Sequence, residues 1–128
     1  MNVKVTHIGI YTTDLERMRA FYEKYFGAVS NEKYENSKGF SSYFLTLGSD
    51  VRLEIMSHTQ LETREVIDKV NGISHIALSV GDKETVIALT KRLVDDGYRL
   101  NSPPRETGDG YFESNIADPD GNSIEITE

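Results

Sequence analysis

The chain reads as an α+β fold built from two tandem β-α-β-β-β modules. Three observations predict it. Val5-Thr-His-Ile-Gly-Ile-Tyr11 and Ile73-Ser-His-Ile-Ala-Leu-Ser-Val80 share one form: a β-branched residue, a hydroxyl residue, His, Ile, a small residue, an aliphatic residue. Each run is followed by an acidic residue, a stretch with helical apolar period and a glycine. Each module then closes on a strand with one acid set among aliphatics, Arg52-Leu-Glu-Ile55 and Ser123-Ile-Glu-Ile126. The step between copies is 68 residues from His7 to His75, 70 from Gly27 to Gly97 and 71 from Glu54 to Glu125, a drift that small loop insertions accommodate. Two copies at this period mean a duplicated module rather than a solenoid. The expected organisation is one domain of 1–128, with repeats over about 1–56 and 73–128 and a mostly polar connector over 57–72. The two halves share one curved sheet or pack side by side.

The elements follow in order. Val3 to Tyr11 alternates as a strand, with Val5, His7, Gly9 and Tyr11 on one face and Thr6, Ile8 and Ile10 on the other. Asp14 caps a helix over Leu15–Phe26, whose apolar stripe is Leu15, Met18, Phe21 or Tyr22, Tyr25 and Phe26, and Gly27 ends it. Ala28 to Tyr34 reads as an edge strand. Phe40–Leu47 and Val51–Met56 read as a hairpin about Gly48-Ser-Asp50, with Arg52 and Glu54 on one face of its second arm. The connector contains a short helical stretch, Glu62 to Val70. In the second module Ile73–Val80 is a strand, and Asp82 caps a helix over Lys83–Asp96 with Val86, Leu89, Leu93 and Val94 inward and Gly97 beyond it. Tyr98–Asn101 is an edge strand, Pro103-Pro104 lies in a loop, and Tyr111–Ala117 and Asn122–Thr127 flank the Asp118-Pro-Asp-Gly121 turn.

Bulk properties narrow the function. The 128 residues carry a formal net charge of −7, which argues against nucleic acid as partner. No apolar run nears the ~18–20 residues of a membrane span. The N-terminus enters strand sequence without the apolar run of a signal peptide, so a cytoplasmic protein is expected. The absence of cysteine excludes disulfides, thiol nucleophiles and thiolate metal sites, which leaves His, Asp, Glu and backbone oxygen as metal ligands.

Four residues stand out: His7 and His75 on the first strands, Glu54 and Glu125 on the last. Taken singly, a strand His is more often packed than metal-bound, and a strand Glu is more often solvated on a polar face. Taken together, matching positions in both copies suit a divalent ion such as Ni, Zn, Co, Fe or Mn, because carboxylates within apolar strands are costly unless paired or bound to a cation. Arg52 shares a face with Glu54, where it meets either an anionic substrate or a neighbouring acid. Tyr11 and Tyr111 line a pocket or simply pack.

Thr6-His-Ile-Gly-Ile, Asp14-Leu, Phe21-Tyr22, Phe26-Gly27, Arg52-Leu-Glu-Ile, Ser74-His-Ile-Ala-Leu-Ser-Val and Asp118-Pro-Asp-Gly-Asn-Ser-Ile-Glu-Ile together resemble the vicinal-oxygen-chelate superfamily over nearly the whole chain. The resemblance implies paired βαβββ modules in a curved, U-shaped mixed sheet with helices outside and a metal in its mouth. Within the superfamily the His/Glu/His/Glu set is most similar to glyoxalase I (lactoylglutathione lyase). This implies one divalent metal held by His7, Glu54, His75 and Glu125, with Glu125, or Glu54 opposite it, as the base in proton transfer through an enediolate of a 2-oxoaldehyde–thiol hemithioacetal. It also implies a homodimer and a small-molecule substrate, contacted by Arg52, Tyr11 and Tyr111. Two positions that hold glutathione in bacterial glyoxalase I are Tyr11 and His58 here, so the thiol is left open. The alternatives are an epimerase or another metal-assisted enzyme of the superfamily, or a non-enzymatic binder of a small molecule such as an antibiotic.

Overall fold

A computed structural model describes residues 1–65 and 69–128. The chain divides into two compact units, Met1–Glu65 and Val66–Glu128. Unit 1 runs β1 (His7–Tyr11), α1 (Leu15–Phe26), β2 (Val29–Ser30), β3 (Tyr34–Glu35), β4 (Phe40–Thr46) and β5 (Arg52–His58). Unit 2 runs β6 (His75–Ser79), α2 (Lys83–Asp95), β7 (Leu100–Glu106), β8 (Phe112–Ala117) and β9 (Ser123–Thr127). The strands hydrogen-bond as two mixed sheets: β1-β5-β4-β2 with β3 also on β4, and β6-β9-β8-β7.

In each unit the first strand lies parallel to the last, and the remaining pairs are antiparallel. A parallel neighbour requires a crossover, and the helix supplies it. Local chemistry sets the helix ends. The Asp14 carboxylate accepts from the Arg17 N–H at 3.1 Å and the Asp82 carboxylate from the Thr85 N–H at 2.7 Å. Gly27 stops α1 in the left-handed region at φ 65°, where a Cβ is disfavoured.

Each helix covers one face of its own sheet. In unit 1, Leu15, Met18, Phe21, Tyr22 and Tyr25 are buried together with Tyr43, Leu45, Leu53 and Ile55. In unit 2, Val86 and Leu93 are buried together with Ile116, Ile124 and Ile126. The buried Thr90 hydroxyl donates to the Val86 carbonyl at 2.6 Å and lies 2.6 Å from the Ser114 hydroxyl, which resolves two polar groups inside an apolar layer.

The sequence reading needs correction at several places. β1 begins at His7, with Val3 and Val5 exposed, although Thr6 still accepts from the Arg52 N–H at 3.2 Å. The expected edge strand Ala28–Tyr34 breaks into β2 and β3. Between them the Asn31 side chain takes the Phe44 N–H at 2.8 Å, replacing a backbone acceptor. Pro103-Pro104 lies within β7, not in a loop. This is an edge strand whose register shifts twice against β8, so the missing N–H groups are tolerated. Val94 is 40% exposed, and Thr90 occupies the inward position instead. Of the short helix expected over Glu62–Val70, the described residues 62–65 and 69–70 are not helical, and residues 66–68 lie outside the described residues.

Two expectations follow. Ile55 is fully buried, so Ile55→Ala should cost about 2–5 kcal/mol, read as a lower denaturation midpoint at unchanged m-value. The Asp82 carboxyl sits below its ordinary value of 3.8, first because of the Thr85 backbone N–H, then its hydroxyl. A lowered folded value means that its stabilisation is present above the ordinary value and is lost as pH falls through the lowered one. Asp82→Asn keeps a cap but removes the titration, so the variant's melting temperature should fall less steeply than wild type's below about pH 4, measured by thermal melts across that range.

Candidate metal and substrate site

The strand opposite each histidine brings it its partner. In unit 1 the parallel register sets His7 across from Arg52 and Gly9 across from Glu54. His7, Gly9, Arg52 and Glu54 face away from α1, because Ile8, Ile10, Leu53 and Ile55 face the core. His7 therefore reaches Glu54 diagonally, with Nε2 to Oε2 at 3.3 Å. The other ring nitrogen, Nδ1, lies 3.0 Å from the Thr6 hydroxyl. Only 17% of the Glu54 side chain is accessible, so the carboxylate depends on that imidazole. The Phe44 ring stands edge-on to His7 at 5.3 Å and 79°. The Arg52 guanidinium rests on the same Phe44 ring, 4.4 Å from its centroid.

Unit 2 repeats the arrangement. His75 lies across from Ser123 and Ala77 across from Glu125, the same offset as in unit 1. His75 Nε2 meets Glu125 Oε1 at 3.1 Å, and the Ser74 hydroxyl is 3.1 Å from Nδ1. A hydroxyl can accept from or donate to an imidazole nitrogen, so it serves either tautomer. With Nε2 protonated, the ring donates to the carboxylate. With the proton on Nδ1, Nε2 carries a lone pair that could be offered to a cation.

Beyond the shared pairs the two faces differ. Across from Glu125 lies Asn115, whose Oδ1 accepts from the Asn101 amide at 3.0 Å and the Ser123 hydroxyl at 2.8 Å. Two residues before Asn115 on the same face stands Glu113, diagonal to Glu125. Burial first, then hydrogen bonding and charge from Glu125, push the Glu113 carboxyl up.

The residues singled out in the sequence thus separate into groups. His7 joins Glu54 and His75 joins Glu125, with Arg52 beside the first pair. Tyr11 follows His7 and Gly9 on their face of β1 and is 55% exposed. Tyr111, 57% exposed, closes a tight loop in which its N–H donates to the Thr107 hydroxyl at 3.0 Å. Among the described residues, no cluster of three or more His, Asp or Glu able to hold an ion is present, so each unit by itself supplies one nitrogen and one carboxylate. Sequence reasoning missed Phe44, Glu113 and Asn115. Their placement depends on the antiparallel register of β4 with β5 and of β8 with β9, which no local motif states.

Known proteins share this fold. Residues 4–126 match the model of the Glyoxalase/Bleomycin resistance protein/Dioxygenase superfamily. The chain is 29% identical over 130 residues to the trivalent organoarsenical cleaving enzyme of Bacillus sp. (strain MD1), covering 97% of this chain and 72% of that protein. It is similar to the crystal structure of a glyoxalase family protein from Enterococcus faecalis, at 26% identity and a TM-score of 0.77, covering 98% of this chain and 97% of that one. It also shares the fold of the trypanothione-dependent glyoxalase I of Leishmania major, at 22% identity and a TM-score of 0.79, covering 99% of this chain and 87% of that one. With a family match across almost its full length and the same α+β architecture, the chain belongs to the glyoxalase/bleomycin resistance protein/dioxygenase superfamily.

Proposed function

We propose that the protein is a metal-dependent lyase or isomerase of the glyoxalase I type, acting on a 2-oxoaldehyde–thiol hemithioacetal or a related small chelating substrate. The observation that carries this reading is the replicated His–Glu pair, with Nε2 3.3 and 3.1 Å from carboxylate oxygen and a hydroxyl on each Nδ1. The donor set fits a divalent ion of the Ni, Zn, Co, Fe or Mn kind: two imidazoles and two carboxylates, with their orienting partners already in place. His7, Glu54, His75 and Glu125 would hold it. The two modules act as one domain in this reading, and the halves of the donor set meet either within one chain or across a cytoplasmic homodimer.

When bound, such an ion would favour negative charge on a substrate oxygen. The rest falls to the chain's own groups. Glu125 takes the proton from the carbon that bears the sulfur and hydroxyl, and the electron pair moves toward the adjacent carbonyl to give the enediolate. Glu125 then returns the proton to the neighbouring carbon while the hydroxyl proton of the first carbon passes to the former carbonyl oxygen, yielding a thioester of a 2-hydroxy acid with no net change in atoms or charge. Glu54 is the other candidate for this role. Gly9 and Ala77 stand opposite the two acids and leave little side chain between carboxylate and substrate. The likeness to an organoarsenical cleaving enzyme suggests a different bond. Trivalent arsenic is a soft centre that favours thiolates, and this chain has no cysteine, so oxygen chelation is the better-supported chemistry.

Elemental analysis of purified protein should find a divalent transition metal. Metal-loaded protein should turn over methylglyoxal hemithioacetals of at least one common thiol, and Glu125→Gln should lower kcat roughly 10²–10⁴-fold; absence of turnover with every thiol in a panel would remove the reaction. Thr6→Val and Ser74→Ala should each weaken metal affinity by about 10–100-fold through loss of the hydrogen bond that orients the ring, measured by competition with a chromogenic chelator.

A further inference from the structure

The two units hold the same scaffold twice, and comparing them separates what is repeated from what is not. Repeated are the histidine, the glutamate, the hydroxyl on Nδ1 and the small residue opposite the glutamate. Not repeated are the positions across from His and across from Glu: Arg52 and Phe44 in unit 1, Ser123 and Asn115 in unit 2. Ser123 and Asn115 satisfy each other by a 2.8 Å hydrogen bond. Arg52 and Phe44 form a different arrangement.

Arg52 shares a strand face with Glu54 only two residues away, yet it does not pair with it. Glu54 is taken by His7, and the guanidinium lies over the Phe44 ring. Among the described residues, no carboxylate forms an ion pair with Arg52. A guanidinium stacked on an aromatic face keeps its N–H edge free, and the stack reduces the rotamer freedom lost on binding. That edge matches two coplanar oxygens. Unit 1's ligand face thus carries one pre-oriented cation beside one glutamate, in a chain with a net charge of −7. Unpaired positive charge at that place is set against the overall field of the molecule.

We propose that Arg52, held on Phe44, is a carboxylate-binding subsite that selects substrates bearing a carboxylate in addition to their chelating oxygens. The proposal rests on the reading of His7 and Glu54 as metal ligands only for where the substrate sits. A single guanidinium next to a single acid balances a monoanion better than a phosphoryl dianion, so the ligand class is a carboxylate. Arg52 acts on binding and takes no proton.

Two experiments test it. In the first, sodium acetate is titrated at constant ionic strength into the protein as purified, and the Arg52 Nε–H and the backbone amides of His7 and Leu53 are followed by NMR. Saturable shifts are expected, and the amide shifts should be absent from Arg52→Gln; shifts that do not saturate, or that persist in the variant, overturn the subsite. In the second, kcat/KM is compared for methylglyoxal adducts of mercaptoacetate and of 2-mercaptoethanol. Wild type should favour the carboxylate-bearing adduct, and Arg52→Gln should reduce that preference about tenfold, mainly through KM. Arg52→Lys should restore only part of it, because a point charge lacks the fork. Equal preference in wild type and Arg52→Gln overturns the subsite while leaving the reaction intact. Acetate binding at Arg52 with no turnover of either adduct removes the reaction while leaving the subsite intact.

Discussion

The parallel pairing of first and last strands, at one fixed register, is the constraint on which the rest of each unit depends. His7 and Glu54 are far apart in sequence, as are His75 and Glu125. They become neighbours because β5 and β9 lie parallel beside β1 and β6, with the residue two beyond the histidine directly opposite the glutamate. A slip of one residue would turn every side chain to the other face, sending the glutamate into the helix-covered layer and Ile55 or Ile126 out to solvent. The register is protected by the same apolar residues that form the core. Leu53 and Ile55 alternate with Arg52 and Glu54, so the hydrophobic preference that fixes the strand also fixes the carboxylate. The antiparallel strands beyond each parallel pair leave the opposite face uncovered by a helix in its own unit, which is where polar groups can stand.

The energetics divide along the same line. A partly exposed imidazole–carboxylate pair contributes on the order of 0–1 kcal/mol, whereas removal of one buried aliphatic side chain costs several times that. Stability therefore resides in Leu45, Ile55, Ile124, Ile126 and the residues that cover them, all fully buried. The His–Glu pairs do little for folding, and Glu54 and Glu125 give up hydration to stand where they do, at 17% and 22% side-chain exposure. Burial and Glu125 both push the Glu113 carboxyl toward the neutral form.

What could be read from the sequence was what local chemistry encodes. Asp14, Asp82 and Gly27 mark helix ends because each satisfies or stops the backbone within a turn of itself, and α1 runs over the residues its periodicity indicated. The histidines and glutamates were legible because they recur, and repetition is visible without a structure. The edge strands were not legible. Asn31 substitutes a side-chain oxygen for a backbone one, and the prolines of β7 sit where an edge strand can spare their N–H groups; both depend on which strand has a free side. Val94 and Thr90 exchanged places because a helical stripe admits either at its margin, and only the Ser114 hydroxyl across the layer decides. Phe44, Asn115 and Glu113 were invisible for a related reason: a residue on β4 or β8 meets the site only through a register set by the far strand.

The divergence between the modules bears on how much chemistry a repeated scaffold leaves open. The strand register places an imidazole beside a carboxylate in each unit, but the residues around each pair are set by the neighbouring strands and differ. In unit 1 the face carries a guanidinium on an aromatic ring. In unit 2 it carries a second carboxyl and an amide held by Asn101 and Ser123. A cation and a carboxyl group differ in the charge they attract, and a difference of only about 1.4 kcal/mol is a tenfold preference, within reach of a single charge-assisted hydrogen bond. Duplication therefore fixes the two His–Glu pairs, whose local geometry is nearly the same, and leaves the character of each face to Arg52 and Phe44 in one unit and to Asn115 and Glu113 in the other.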